Sequence, residues 1–110
     1  MSDFKLFQKY FKEYQQRFGL MGYEIYFKHE PLEGVYASIT DGRSMSATVR
    51  LNSNPSDEER KGLHRTAKHE AIHLLLLRLC DNARYRYSTS EEIQEATEEL
   101  VNKLVTLIKT

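Results

Sequence analysis

Ala67-Lys68-His69-Glu70-Ala71-Ile72-His73-Leu74-Leu75-Leu76 places two histidines four residues apart, with a glutamate directly after the first. The stretch lies inside a longer segment with helical periodicity. At a spacing of four, both imidazoles project from one helix face, one turn apart, and both can reach a single Zn²⁺ at about 2.0–2.1 Å. Glu70 is too close along the chain to His69 to serve as a third ligand. It is placed to stand beside the metal and accept a proton from water.

Upstream of the histidines, Ser56 with Glu59 three residues later fits a capping box, so the spacing predicts one helix from about Asp57 to Cys80. Before it, Tyr23–His29, Val35–Thr40 and Met45–Leu51 are strand-like, and Asp41-Gly42 marks a hairpin. They are expected to form a three-stranded antiparallel meander with one apolar face. At the N-terminus, Phe4, Phe7, Phe11, Tyr14 and Phe18 recur at helical spacing, and Gly19 ends that helix. This aromatic stripe is expected to be core. Downstream, residues 81–87 form a connection. Ser88 or Ser90 is expected to cap a last helix whose apolar face centres near Leu100 and Leu104. The whole reads as one α+β domain over residues 1–110: an N-terminal helix, three strands, the histidine-bearing helix and a glutamate-bearing C-terminal helix.

Sixteen Lys plus Arg balance sixteen Asp plus Glu, so there is no basic excess of the kind that phosphate contacts require. Nucleic acid is therefore not an expected partner. The N-terminal segment carries charges throughout and has no apolar signal core. The run from Ala71 to Leu77 is too short to span a bilayer. A single cysteine, Cys80, excludes an intrachain disulfide and suits a reducing, cytoplasmic setting. Cys80 stands seven residues after His73, about 10.5 Å along a helix, too far to share the metal. It is expected to be a small buried hydrophobe.

A catalytic zinc site needs a third protein ligand. His64 lies on another face of the motif helix and His29 on a distant strand. The last helix offers Glu91, Glu92, Glu95, Glu98 and Glu99. By helical phase Glu95 points away from the expected apolar face, where it is either solvated or turned toward a second helix across a cleft. Glu99, one turn on, is placed to accept the free N–H of a ligand histidine. Phase alone leaves Glu95, Glu98 and Glu99 open as third ligand.

Glu95-Ala96-Thr97-Glu98-Glu99-Leu100-Val101 resembles the E-A-x-x-D/E motif of the gluzincin metallopeptidases. The chain as a whole resembles the minimal, phage-type zincin-like metallopeptidases, which combine a leading helix, a small sheet, an A-x-H-E-A-x-H-L-L-L segment and a glutamate-rich last helix. The resemblance implies His69, His73 and Glu95 as zinc ligands, Glu99 as the acid behind them and Glu70 as general base. Two departures stand out: the later acid is glutamate rather than aspartate, and no histidine follows the third-ligand motif. Larger gluzincins often use such a histidine to stabilise the oxyanion. Tyr85 and Tyr87 are candidates for that role, since a phenol donates to developing negative charge; the alternative is that they pack over the connection.

The implied activity is zinc-dependent hydrolysis of peptide bonds, with a peptide or protein substrate laid along an exposed sheet edge. A second reading keeps the zinc as a staple in a catalytically silent binding or regulatory module. A third has no metal and uses the helices as a partner interface. The substrate and the oligomeric state are not legible in the residues.

Overall fold

The computed structural model describes residues 1–42, 44–84 and 89–109, the side chain of Arg84 excepted. Seven elements follow in order: α1 (Asp3–Arg17), β1 (Glu24–Glu30), β2 (Ala37–Asp41), β3 (Ser46–Asn52), α2 (Asp57–Lys61), α3 (Leu63–Arg84) and α4 (Ser90–Leu107). The architecture is α+β, with a three-stranded mixed sheet covered by helices on one face.

Local chemistry sets most of the boundaries. Ser2 caps α1, its hydroxyl accepting from the Lys5 N–H. At the other end Gly19 takes a φ of 72°, and the Leu20 and Gly19 amides donate to Gln15 and Gln16 carbonyls, the double bond of a Schellman ending. Ser56 and Glu59 form the expected capping box. The expected single helix is nevertheless broken: α2 stops at Lys61, Gly62 intervenes, and α3 runs on past Cys80 to Arg84. The last helix is capped by Thr89, which pairs reciprocally with Glu92, and Ser90 is its first helical residue. Thr89 had the same S/T-x-x-E signature as Ser56, one residue away from each expected cap.

The sheet is not the antiparallel meander that the strand sequence suggests. Its order is β1-β3-β2, with β1 parallel to β3 and β2 antiparallel to it. Burial explains the order. Ala47, Val49 and Leu51 of β3 are each at most 1% exposed, so the most apolar strand takes the centre. β1 and β2, each with exposed positions, take the edges. The chain reaches β2 by stepping over the place that β3 will fill, and six residues, 31–36, suffice for it. Asn52 holds this step in place. Its side chain bonds Leu32 N–H and C=O, the Val35 carbonyl and the Asn54 N–H. The β2–β3 hairpin follows Asp41-Gly42 as expected. Space is tight at Gly42, where a Cβ would lie 3.2 Å from the Ser46 carbonyl oxygen and displace the Ser46 hydroxyl.

The aromatic stripe of α1 is core. Phe7, Phe11 and Tyr14 are buried, and Phe27 of β1 meets the Phe7 and Phe11 rings edge-on. Ala67, Ala71 and Leu74 of α3 pack into this cluster, while Ile72 on another side of α3 packs with Val101 and Val105 of α4. α3 is therefore the element that both the sheet and α4 rest on. Leu100 is 43% exposed, so the buried face of α4 centres on Val101 and Val105 rather than on Leu100 and Leu104. That difference amounts to about 100° of rotation, and it decides which glutamate reaches the histidines. No helix among the described residues is long and apolar enough to cross a membrane.

Candidate metal centre

α3 carries His69 and His73 on one face, as their spacing requires. Their ring centroids lie 4.9 Å apart with planes inclined at 58°. Across the gap stands Glu98 of α4. One of its oxygens is 3.6 Å from His69 Nε2 and the other 2.5 Å from His73 Nε2. Ligand atoms of His69, His73 and Glu98 all fall within 4.8 Å of one another. Two imidazole nitrogens and one carboxylate oxygen form a donor set known from catalytic zinc sites. Tetrahedral bonds of about 2.05 Å put ligand atoms about 3.3 Å apart. The His69–Glu98 separation is near that value, and the His73–Glu98 contact needs to open by under about 1 Å. The three residues could hold a metal ion.

Glu95, expected as third ligand, is exposed and lies outside this group. The cause is the rotation of α4: Glu98 precedes Val101 by three residues and Val105 by seven, so it shares the buried flank, while Glu95 is turned to solvent. The i, i+4 valine pair was the sequence signal for this, and the more numerous leucines obscured it. Glu99 pairs with Lys103 at 3.0 Å on the exposed surface rather than with a histidine. Tyr85 and Tyr87 lie outside the described residues. His64 faces α1, with Tyr10 edge-on to its ring and Tyr14 Oη 3.5 Å from its Nε2, and His29 stacks on Phe4.

Glu70 is 5% exposed, with one carboxylate oxygen 4.0 Å from His69 Nε2. Burial and then the neighbouring Glu98 charge push its pKa up to about 8. Burial, followed by the His73 charge, lowers the pKa of His69 and so favours the neutral imidazole that metal binding needs.

These groups line a cleft of about 550 Å³ together with Val35 and β2 (Ala37–Asp41) on one side and Leu77, Cys80, Gln94 and Thr97 on the helices. β2 pairs with β3 along one side only, so its other edge offers main-chain groups beside the cleft. No family model, curated protein or solved structure matches this chain.

Proposed function

We propose that the protein is a zinc-dependent peptidase of the minimal zincin type, with His69, His73 and Glu98 as metal ligands and Glu70 as general base. The observation that carries this reading is the convergence of three metal-type donors with a buried glutamate in a cleft bordered by a sheet edge.

Zinc bound there would supply a Lewis acid for the scissile carbonyl and a water acidified to near neutrality. The protein's own contribution is positional. One helical turn of α3 presents both imidazoles, and burial lowers the pKa of His69, which favours its neutral form. In this reading Glu70, ionised beside the metal, would take a proton from the attacking water and pass it to the leaving amine. In the same reading β2 would hold an extended peptide by strand addition, orienting the backbone before reaction.

The test is hydrolysis of a mixed quenched-fluorescent peptide set by zinc-loaded protein beside Glu70→Gln. Cleavage that vanishes with chelator and falls at least 100-fold in Glu70→Gln, at equal zinc content, is the expected result. Cleavage that Glu70→Gln retains in full overturns the role of Glu70, and a protein that holds no zinc overturns the whole reading.

One observation favours a second reading, a zinc-stapled binding module. The contact between α3 and α4 has three fully buried residues, Ile72, Val101 and Val105. A metal bridging His69, His73 and Glu98 would reinforce it. In that case Glu70→Gln leaves the biological role intact.

A further inference from the structure

β1 is an edge strand, and among the described residues no strand pairs with its outer side. The hydrogen bonds at its two ends fix which main-chain groups look outward. The Glu24 N–H donates to the Met45 carbonyl at 2.9 Å, and the Glu30 carbonyl accepts from the Ser53 N–H at 3.0 Å. In a parallel pair, alternate residues turn both main-chain groups to the same neighbour. Glu24, Tyr26, Lys28 and Glu30 therefore bond to β3, while Ile25, Phe27 and His29 present N–H and C=O to the open edge. The stretch is closed before Glu24, because the Tyr23 N–H and carbonyl are taken by Leu20 and Gln15. β1 contains no proline, and its register with β3 runs from Glu24 to Glu30 without a bulge, so the usual guards of an edge are missing.

We infer that β1 is a self-association edge, at which a second copy of this chain adds antiparallel about a two-fold axis at Tyr26. Centring on Tyr26 sets Ile25 opposite Phe27 of the second copy, where each exchanges both of its outward main-chain bonds. On the exposed face the same register sets Glu24 opposite Lys28 on both sides of the axis, with Tyr26, 51% exposed, against its own copy. The other centres fail. Phe27 opposes Glu24 to Glu30, and Lys28 opposes itself, both like-charge pairs. Ile25 needs the committed Tyr23 groups, and His29 runs Phe27 onto Pro31, which has no N–H. Lys12 stands 5.7 Å from the centre of the Phe27 ring on the helix side, and it is exposed and can turn to solvent. The product is one continuous sheet with a β2 strand at each far end, so both clefts stay open. The pairing does not depend on the peptidase reading. Its strip is short, which places the dimer in the weak class, with a Kd on the order of 100 μM.

The test is sedimentation velocity of the full chain in a series reaching about 1 mM, with chelator present so that no metal bridges two copies. Wild type should show a monomer–dimer equilibrium in that range. Glu24→Lys and Lys28→Glu each set like charges opposite one another and should weaken it at least about fivefold. The double variant Glu24→Lys/Lys28→Glu restores both pairs and should return to within about twofold of wild type. Both residues are exposed, so thermal melts of the variants should match wild type, which separates lost pairing from lost fold. A chain that stays monomeric throughout overturns the inference and leaves the edge to solvent or to a strand of another protein. Dimers that neither single reversal weakens belong to another surface and overturn it too. Weakening that the double variant does not repair overturns the Tyr26-centred register on which it rests.

Discussion

His73 Nε2 and Glu98 Oε1 lie 2.5 Å apart, although they belong to two helices joined by a separate connection and stand 25 positions apart in the chain. The contact joins the second histidine of the motif to an acid on the buried flank of α4, and it places the third donor without any help from local sequence. It also separates Glu98 from its neighbours Glu95 and Glu99 as a candidate ligand.

Zinc affinity should therefore depend on Glu98 and ignore Glu95. Glu98→Ala is expected to weaken zinc binding by more than the roughly 10- to 100-fold typical of a group that only supports a ligand. His69→Ala and His73→Ala should do the same, and Glu95→Ala should change it less than about twofold. Competition against a chromogenic zinc chelator measures all four. Strong loss in Glu95→Ala with retention in Glu98→Ala would reverse the assignment.

Metal-free protein should lose stability as pH rises from about 4.5 to about 8. The folded pKa of Glu70 lies above its unfolded value, so the native state binds more protons in that window and the slope is negative. Its cause is burial first and the Glu98 charge second. The lowered pKa of His69 acts in the opposite sense below about 6.5. The comparison with Glu70→Gln isolates the glutamate, and urea melts at several pH values should show the decline in wild type alone. The difference should reach on the order of a few kcal/mol at the upper end.

Zinc uptake near neutral pH should release protons from Glu70. The ion's positive charge reverses the local electrostatics and favours the carboxylate. Calorimetric titrations in buffers of different ionisation enthalpy count those protons. Glu70→Gln should release fewer, and an equal count in the two proteins would show that Glu70 is already ionised or stays protonated.

Asn52 should be a large stability determinant although it lies outside the cleft. Its amide satisfies main-chain groups of Leu32, Val35 and Asn54, and Val35 begins the cleft wall. Asn52→Ala strands several of these groups at once and is expected to cost about 3 kcal/mol or more in urea denaturation. A cost below about 1 kcal/mol would mean that water replaces the amide fully.

Tyr36 gives the opposite case. Its hydroxyl is buried without a hydrogen-bond partner among the described residues, at a residue 7% exposed. Tyr36→Phe removes a desolvated polar atom and keeps the ring, so it should be neutral or stabilising by up to about 1 kcal/mol. A loss of more than about 1 kcal/mol in thermal or urea melts would reveal a partner held by the phenol.

The residues themselves carried the helices and their ends, because caps, glycine endings and apolar spacing act within about four residues of chain. The aromatic face of α1, the Ser56–Glu59 cap, the hairpin after Gly42 and the shared face of His69 and His73 are all of this local kind. The strand order was not. Val35–Thr40 and Met45–Leu51 read equally well as members of a simple meander, and β3 moves to the centre only because its side chains have the most apolar surface to bury between two neighbours.

The rotation of α4 was decided in the same way. Leucines and valines lie on adjoining stripes of that helix, and local spacing cannot rank them. Packing against Ile72 of α3 selects Val101 and Val105, turns Glu98 into the cleft and leaves Glu95 in solvent. Sequence alone determined that His69 and His73 share a face with Glu70 beside it, since a spacing of four fixes this in any helix. Only the tertiary structure decided which acid completes the group and how deeply Glu70 is buried, because both depend on contacts between segments that local periodicity does not connect.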